Sequence, residues 1–204
     1  MKEDLTQSSY SSALLTDDYT ICGVKMKPFC LGHIVILEAL QNPLIDSDVK
    51  DVAVDDGLCQ FFLALLICAL TYEEGVQLLN DSKLFSEISA QFCDNLQKNM
   101  DEDENWNIHS KLNLFKNYMS SYLNSMPYYN ETQKQNTDAP SGNDWKTSIF
   151  IVFKKLGYSE SEILNMNIRK LFIEWAGYAE SEGVVKICNK HEANQLKQFQ
   201  LNKG

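Results

Sequence analysis

Apolar residues recur at helical spacing through most of this chain. Between positions 31 and 41 they are three residues apart, which predicts a helix that stops before the Asn42-Pro43 pair, since a residue before proline avoids the α region. Positions 57–70 are apolar on nearly every side, which predicts a central helix that other helices surround. The first half of the chain is therefore predicted to be helical.

Capping residues predict where the next helices begin. Thr71 and Glu74 have the spacing of a capping box, and Asp81 or Ser82 can cap a second helix with an apolar stripe. The acidic tract 100–107 is predicted to be a solvated loop. A helix with a narrow apolar seam follows, which permits self-association but favours packing within the chain. The stripe contains Phe85, Ile88, Phe92 and Leu96, and the seam contains Leu112, Phe115, Met119, Tyr122 and Met126.

The block 143–183 is the most strongly patterned part of the sequence. Gly157 can close its first helix, and Ser159 and Glu162 have capping-box spacing, which together predict a turn between two helices. A third helix is predicted to end at Gly183, with a β-prone segment and a last polar helix at 191–199 after it. The residues that share one face of the first helix are Trp145, Ile149, Val152, Phe153 and Leu156.

The remaining segments set the domain organisation. β-Prone residues on both sides of Gly23 predict a small hairpin, and the polar run 127–142 has little to bury and predicts a mobile linker. We expect a flexible N-terminus at 1–18, a helical domain with the hairpin at 19–126, this linker, and a C-terminal helical subdomain at 143–204. The predicted fold class is mainly α, a multi-helix orthogonal bundle with a small N-terminal β-hairpin.

The composition indicates a chain that can bury a core unaided, since 44% of its 204 residues are hydrophobic. The net charge of -10 repels nucleic acid and anionic membranes unless a local basic patch is present. No signal-peptide pattern precedes the six cysteines, which predicts reduced thiols in a cytoplasmic protein. The longest apolar run, at 61–70, is too short to cross a bilayer, so no membrane association is predicted.

Residues that could carry chemistry are few and scattered. His33, His109 and His191 lie far apart without metal-binding spacing, so neither a metal nor a cofactor is predicted. Cys30 near His33 suggests a thiol with a base, but both have structural explanations at the entry to a helix. No glycine-rich phosphate loop is present in the sequence. We therefore expect a protein that is not an enzyme.

Two helices joined at Gly157 also have the pattern of a helix-turn-helix. Between positions 145 and 175 the sequence has five basic residues and three glutamates. The helix that would contact the bases begins with Glu160, Ser161 and Glu162, and its carboxylates would repel DNA phosphates. A DNA-binding regulator that uses 145–175 stays an alternative, although nucleic acid is disfavoured as a partner.

The order of these motifs resembles a known group of proteins. A hairpin at 21–29 precedes Leu31-Gly32-His33, and far downstream come Ser141-Gly142-Asn143-Asp144-Trp145, the Gly157-Tyr158-Ser159-x-x-Glu162 corner and the end Ala179-Glu180-Ser181-Glu182-Gly183. This order resembles small helical proteins from the tail-morphogenesis regions of double-stranded DNA phages and prophages. The corner, mainly within 143–183, is similar to that of tail assembly chaperones.

The resemblance implies a non-enzymatic protein-binding factor. Such a chaperone would hold the long apolar-striped helices of a tail tape-measure protein, in the cytoplasm of a bacterial host, before tail-tube subunits polymerise around them. The residues implied to line the binding surface are Tyr158, Ile168 and Phe172. A virion-associated structural or interaction protein is an alternative, and homo-oligomers stay open.

Overall fold

The structure, a computed structural model, describes residues 18–45, 54–103, 106–123, 129–131, 145–183 and 185–187. Within them lie eight helices and two small sheets, so the predicted mainly α class with an N-terminal hairpin is confirmed. The helices are α1 (Leu31–Ala39), α2 (Val54–Cys68), α3 (Tyr72–Asn80), α4 (Ser82–Glu102), α5 (Ile108–Leu123), α6 (Trp145–Lys155), α7 (Glu160–Asn165) and α8 (Ile168–Ser181). The strands are β1 (Thr20–Ile21), β2 (Val24–Lys25), β3 (Tyr129–Glu131) and β4 (Val185–Ile187), and β1 pairs with β2 and β3 with β4, both antiparallel.

The chain divides into two compact units. The first unit contains the described residues up to position 122 together with Leu164–Asn167, and so includes the hairpin, α1 to α4 and nearly all of α5. The second unit contains the other described residues from Leu123 onward, including α6, α8 and the β3–β4 sheet. The division falls inside α7, whose last two residues belong to the first unit.

The N-terminal hairpin turns at Cys22 and Gly23. Both have positive φ, 52° and 74°, as the two central residues of a type I′ turn do. The chain that leaves the hairpin is bonded to two helices. The Lys27 N–H donates to the Cys68 carbonyl at 2.9 Å, and the Lys27 carbonyl accepts from the Tyr118 hydroxyl at 2.8 Å. A sheet of two short strands needs such support, because an isolated hairpin is marginally stable in water.

An aromatic cluster forms the core of the first unit, with Tyr118 of α5 at its centre. The ring of Phe61 on α2 joins the cluster through Phe115, at a centroid distance of 5.9 Å. The seam predicted for α5 is confirmed in its middle, where Phe115, Met119 and Tyr122 are buried. Tyr118 is also buried, so the buried face of α5 is broader than the predicted seam. The four rings around Tyr118, at centroid distances between 5.4 and 5.7 Å, are those of Tyr19, Phe29, Phe115 and Tyr122.

The four residues Leu164–Asn167, which we call the 164–167 clamp, bond to the starts of α1 and α3. The Asn165 Oδ1 accepts from the Tyr72 N–H at 3.0 Å, and the Asn165 Nδ2 donates to both Glu73 carboxylate oxygens at 2.9 and 2.7 Å. Asn167 forms an antiparallel bridge with Cys30. Because Asn165 and Tyr72 are 93 residues apart in the chain, no local pattern predicts this contact.

The predicted corner after α6 is confirmed in atomic detail. Gly157 has φ of 94°, its N–H donates to the Lys154 carbonyl at 3.1 Å, and the Tyr158 N–H donates to the Phe153 carbonyl at 3.1 Å. These two bonds form a Schellman motif, and the Tyr158 and Phe153 rings supply its usual apolar contact at 5.3 Å. Ser159 then caps α7, since the Glu162 N–H donates to its Oγ and its own N–H donates to the Glu162 carboxylate.

Helix α1 ends in the same motif without a glycine. Gln41 has φ of 52°, its N–H donates to the Glu38 carbonyl at 2.9 Å, and the Asn42 N–H donates to the Leu37 carbonyl at 2.9 Å. The buried Asn42 side chain then donates to the Gln60 carbonyl at 2.8 Å. An exposed glutamine therefore occupies a left-handed position where glycine is favoured.

We expect Gln41→Gly to stabilise the protein by about 0.5 kcal/mol, because relief of left-handed strain outweighs the added freedom of the unfolded chain. Chemical denaturation measures the change. Gly157→Gln is the reciprocal variant and should lower the free energy of unfolding by about 1 kcal/mol. Equal shifts of the same sign for both variants would contradict this account.

Two predicted loops contain regular structure. The acidic tract was expected to start a loop at Met100, but α4 continues to Glu102. Its last turn is supported by a bond from Gln97 to Asp101 at 2.8 Å and by a Lys98–Glu102 pair at 3.9 Å. The run 127–142, interpreted as a linker, contains β3, since backbone pairing with β4 does not depend on apolar side chains. The β-prone segment after Gly183 is confirmed as β4.

Other expectations are confirmed only in part, or concern residues outside the described ranges. Asp81 caps α4, accepting from the N–H groups of Lys83 and Leu84 at 3.0 Å, but only Leu96 of the predicted stripe is fully buried. The expectations for residues 1–17, Met126, the caps at 143–144 and the helix at 191–199 lie outside the described residues.

Candidate protein-binding surface

The three residues predicted to line a binding surface are largely covered. Ile168 in the first turn of α8 is completely buried, and Phe172 one turn later is also buried. Tyr158 is half-buried, and its hydroxyl donates to Glu174 Oε2 at 2.7 Å. Ile168 and Phe172 thus stabilise the fold and offer almost no surface to a partner. A binding role for the three residues stays a prediction.

The exposed apolar side chains nearby belong to α6 and to Leu156, the C-cap residue directly after it. Trp145, Ile151 and Leu156 are 41%, 43% and 45% exposed, and they are half of the six large apolar side chains exposed in the described residues. Trp145, the half-buried Val152 and Leu156 are seven and four residues apart, so they form a stripe along the helix. We call these three residues the α6 ridge. Ile151 is also exposed, but it lies about 100° or more around the helix from the ridge.

The ridge is held by residues of the second unit. The Trp145 ring lies 5.5 Å from the Phe172 ring, so this predicted site residue contacts the ridge although it is itself buried. Ile149 and Phe153 are buried on the adjacent face of α6. The Schellman motif at Gly157 fixes the end of the helix immediately after Leu156. The buried face of α6 and the fixed end of that helix therefore hold the ridge in place.

The charge of α6 differs in sign from that of the whole chain. The helix has three lysines and no acidic residue, which gives it the highest net charge of the eight described helices in a chain of net charge -10. Lys154 and Lys155 are exposed in its last turn, where cations interact favourably with the helix dipole. Among the described residues, Lys25, Lys83, Lys98, Lys111 and Lys170 form ion pairs.

Sequence periodicity predicted a helix at the position of α6 but not which of its residues are exposed. The pattern places Trp145 and Leu156 on the apolar face with Ile149 and Phe153, yet only the latter pair is buried. A helix face is covered only as far as neighbouring elements extend, and both ridge ends lie at the ends of α6. The available signal was Ile151, an apolar residue outside the buried stripe, within a helix that has only lysines as charged residues.

The Cys30 and His33 pair is structural in its geometry. The His33 Nδ1 accepts from the Cys30 backbone N–H at 3.3 Å, and its Nε2–H donates to the Leu70 carbonyl at 2.8 Å, so both ring nitrogens bond backbone. Burial lowers the pKa of His33 to about 4 and raises the pKa of the Cys30 thiol to about 11. The thiol is therefore protonated at neutral pH, and the ring has no nitrogen left to accept its proton.

Other titratable groups in the first unit are also buried in apolar surroundings. Burial raises the pKa values of Cys68 and Tyr118 well above their ordinary values. Within the part of the chain that the structure describes, no group of three or more His, Cys, Asp or Glu side chains is suited to hold a metal ion. In the same residues, no helix combines the length and apolar character that a membrane span requires.

Comparisons with known proteins do not narrow the function, because no family model, no curated protein and no solved structure matches this chain.

Proposed function

We propose that this chain is a protein-binding factor that acts as a tail assembly chaperone of the phage or prophage type in the bacterial cytoplasm. Its partner is a long helical client, the tape-measure protein that the resemblance implies. The observation that carries the proposal is the α6 ridge, which exposes a tryptophan and a leucine on one capped helix. Exposed aromatic residues are enriched where proteins bind one another.

The ridge suits a helical client for geometric reasons. Its three residues extend along roughly 16 Å of α6, at a rise of about 1.5 Å per residue, which corresponds to about three turns of a partner helix. Apolar stripes on free helices aggregate unless they are covered, and a ridge of this kind can cover one such stripe. An acidic chain as a whole keeps the resulting complex dispersed.

Co-expression tests this proposal. We expect that the long helical product of the neighbouring gene becomes soluble when it is co-expressed with this chain, and that the two elute together in size-exclusion chromatography. Leu156→Gln should weaken the complex by about 10-fold or more, because it places a polar amide in an apolar contact. Affinity is measured by titration of the labelled client.

Leu114→Gln is the matched control. Leu114 on α5 is 41% exposed, close to the 45% of Leu156, and it belongs to the first unit, whereas the ridge belongs to the second. The control variant should bind the client as the native chain does. No change in client solubility on co-expression would remove the main support for the proposal, and equal weakening by both variants would show that the ridge is not the site.

A further inference from the structure

We infer that the α6 ridge binds an amphipathic helix whose apolar stripe is flanked by Asp or Glu on one side. This inference rests on the proposed function and adds the chemistry of the client. It follows from the order of side chains around α6, in which the exposed apolar residues and the two exposed lysines lie on one half of the helix.

Lys155 lies beside the ridge and Lys154 lies on the far side of the helix, and both are exposed. At about 100° per residue, the exposed half of α6 runs from the ridge to Lys155, then Ile151, then Lys154. Ile151 is three and four residues before the two lysines, so all three are neighbours on the helix surface. A partner helix on the ridge therefore meets an apolar stripe that has the positive charge of Lys155 along one side. Charges that flank an apolar stripe in this way determine which helix binds and in which direction it lies.

The charge of the ridge disfavours other occupants. Two copies of this chain paired through the ridge would offer each other no acidic side chain on α6, so the lysines would gain no opposite charge in a symmetric dimer. DNA would meet the carboxylates of Glu160 and Glu162 just beyond the end of α6, and a chain of net charge -10 is repelled by phosphates and by anionic lipid. An acidic helix on the ridge would place its carboxylates beside the lysine side chain, closer than the screening length of about 8 Å.

The inference is tested with two peptides on the full chain. Both are amphipathic helices of about 21 residues with the same apolar stripe, one flanked by Glu and the other by Lys. We expect the Glu peptide to bind about 10-fold more tightly than the Lys peptide at low salt, measured by fluorescence anisotropy. The difference should shrink as NaCl is raised from about 0.05 M to about 0.5 M, because salt screens exposed charges.

Charge reversal locates the effect. The double variant Lys154→Glu, Lys155→Glu should invert the preference, so that the Lys peptide binds more tightly. Lys116→Glu on α5 is the matched control, since Lys116 is an exposed lysine on the second most basic helix, and it should leave the preference unchanged. Circular dichroism confirms that the variants fold.

The outcomes separate this inference from the function on which it rests. If the two peptides bind equally well, or if reversal at 154 and 155 does not invert the preference, the acidic-helix inference is wrong. Sensitivity of client binding to Leu156→Gln would then still support the proposed function. Binding of duplex DNA or anionic vesicles in preference to the Glu peptide, or a dimer lost on Leu156→Gln, also overturns the inference.

Discussion

Gly32→Ala is expected to lower the free energy of unfolding by about 3 kcal/mol, the upper part of the range for forcing extra atoms into a packed core. A Cβ at position 32 would lie 2.7 Å from Cδ2 and 2.8 Å from Cβ of Tyr72. It would also lie 2.9 Å from the Leu164 carbonyl oxygen. The last contact is with backbone, so it cannot be relieved by a change of rotamer.

The strain acts on the 164–167 clamp. To accommodate the methyl group, either α1 must move from Tyr72 or Leu164 must move from α1. Both movements strain the adjacent bond between the Asn165 amide and the Tyr72 N–H. An ordinary glycine-to-alanine change inside a helix stabilises a protein by about 1 kcal/mol. Gly32→Ala should instead destabilise this protein, because the added methyl group strains these contacts.

Gly177→Ala supplies the control for this prediction. Gly177 also lies inside a helix, α8, but a Cβ there would have no neighbour within 4 Å. We expect the free energy of unfolding of this variant to be higher by about 0.5–1 kcal/mol, because alanine is the better helix former. Urea denaturation of both variants measures the two changes. Stabilisation by Gly32→Ala would show that the close approach of Tyr72 and Leu164 does not exist in solution.

Acid is expected to destabilise the protein by about 2 kcal/mol between about pH 7 and about pH 5, through His33. The pKa of His33 is about 4 in the folded chain because the ring is buried, against 6.5 for an ordinary histidine. The unfolded chain therefore binds a proton that the folded chain does not, and stability falls as the pH falls. The loss begins near pH 6.5 and is complete below about pH 4, where it reaches about 3 kcal/mol.

The geometry explains why protonation is opposed. A proton on His33 Nδ1 would face the Cys30 N–H, so two donors would meet where one now donates to the ring. The carboxylate of Glu74 adds a separate loss at lower pH. The Thr71 N–H and side chain hold its pKa below the ordinary value, so its stabilisation disappears as it is protonated. The interval above pH 5 therefore isolates the histidine.

His33→Gln separates the charge from the packing. Glutamine can accept from the Cys30 N–H and donate to the Leu70 carbonyl, and it does not titrate, so the variant should keep its stability from pH 7 to pH 5. His109→Gln, at an exposed position on α5, controls for the loss of a histidine and should leave the native pH profile unchanged. Thermal unfolding across the pH series measures all three proteins. A pH slope in His33→Gln equal to the native slope would assign the effect to other groups.

Local signals predicted local structure well. The capping boxes at Thr71 and Ser159 and the glycine corner at Gly157 depend on residues within one turn of each other, so the sequence alone determines them. The aromatic cluster around Tyr118 and the clamp at Asn165 depend on contacts between distant segments. Spacing along one helix indicates which face is apolar, but it does not indicate which distant residues cover that face.

The candidate site shows the same limit. Sequence reasoning reached the second unit through the corner and named Tyr158, Ile168 and Phe172, of which two are buried. The residues that reach solvent, Trp145 and Leu156, had been assigned to the packed face. Periodicity measures the direction of a side chain and not its exposure, and exposure depends on where the covering elements end.

The 164–167 clamp has a consequence for how this protein is made. During synthesis, α1 and α3 leave the ribosome long before Asn165 is added, since Asn165 follows Tyr72 by 93 residues and Glu73 by 92. The N-terminal part therefore cannot reach its final state until most of the chain has been translated. A premature stop before codon 164 would yield an incomplete first unit, so nascent fragments should be substrates for the cell's proteases.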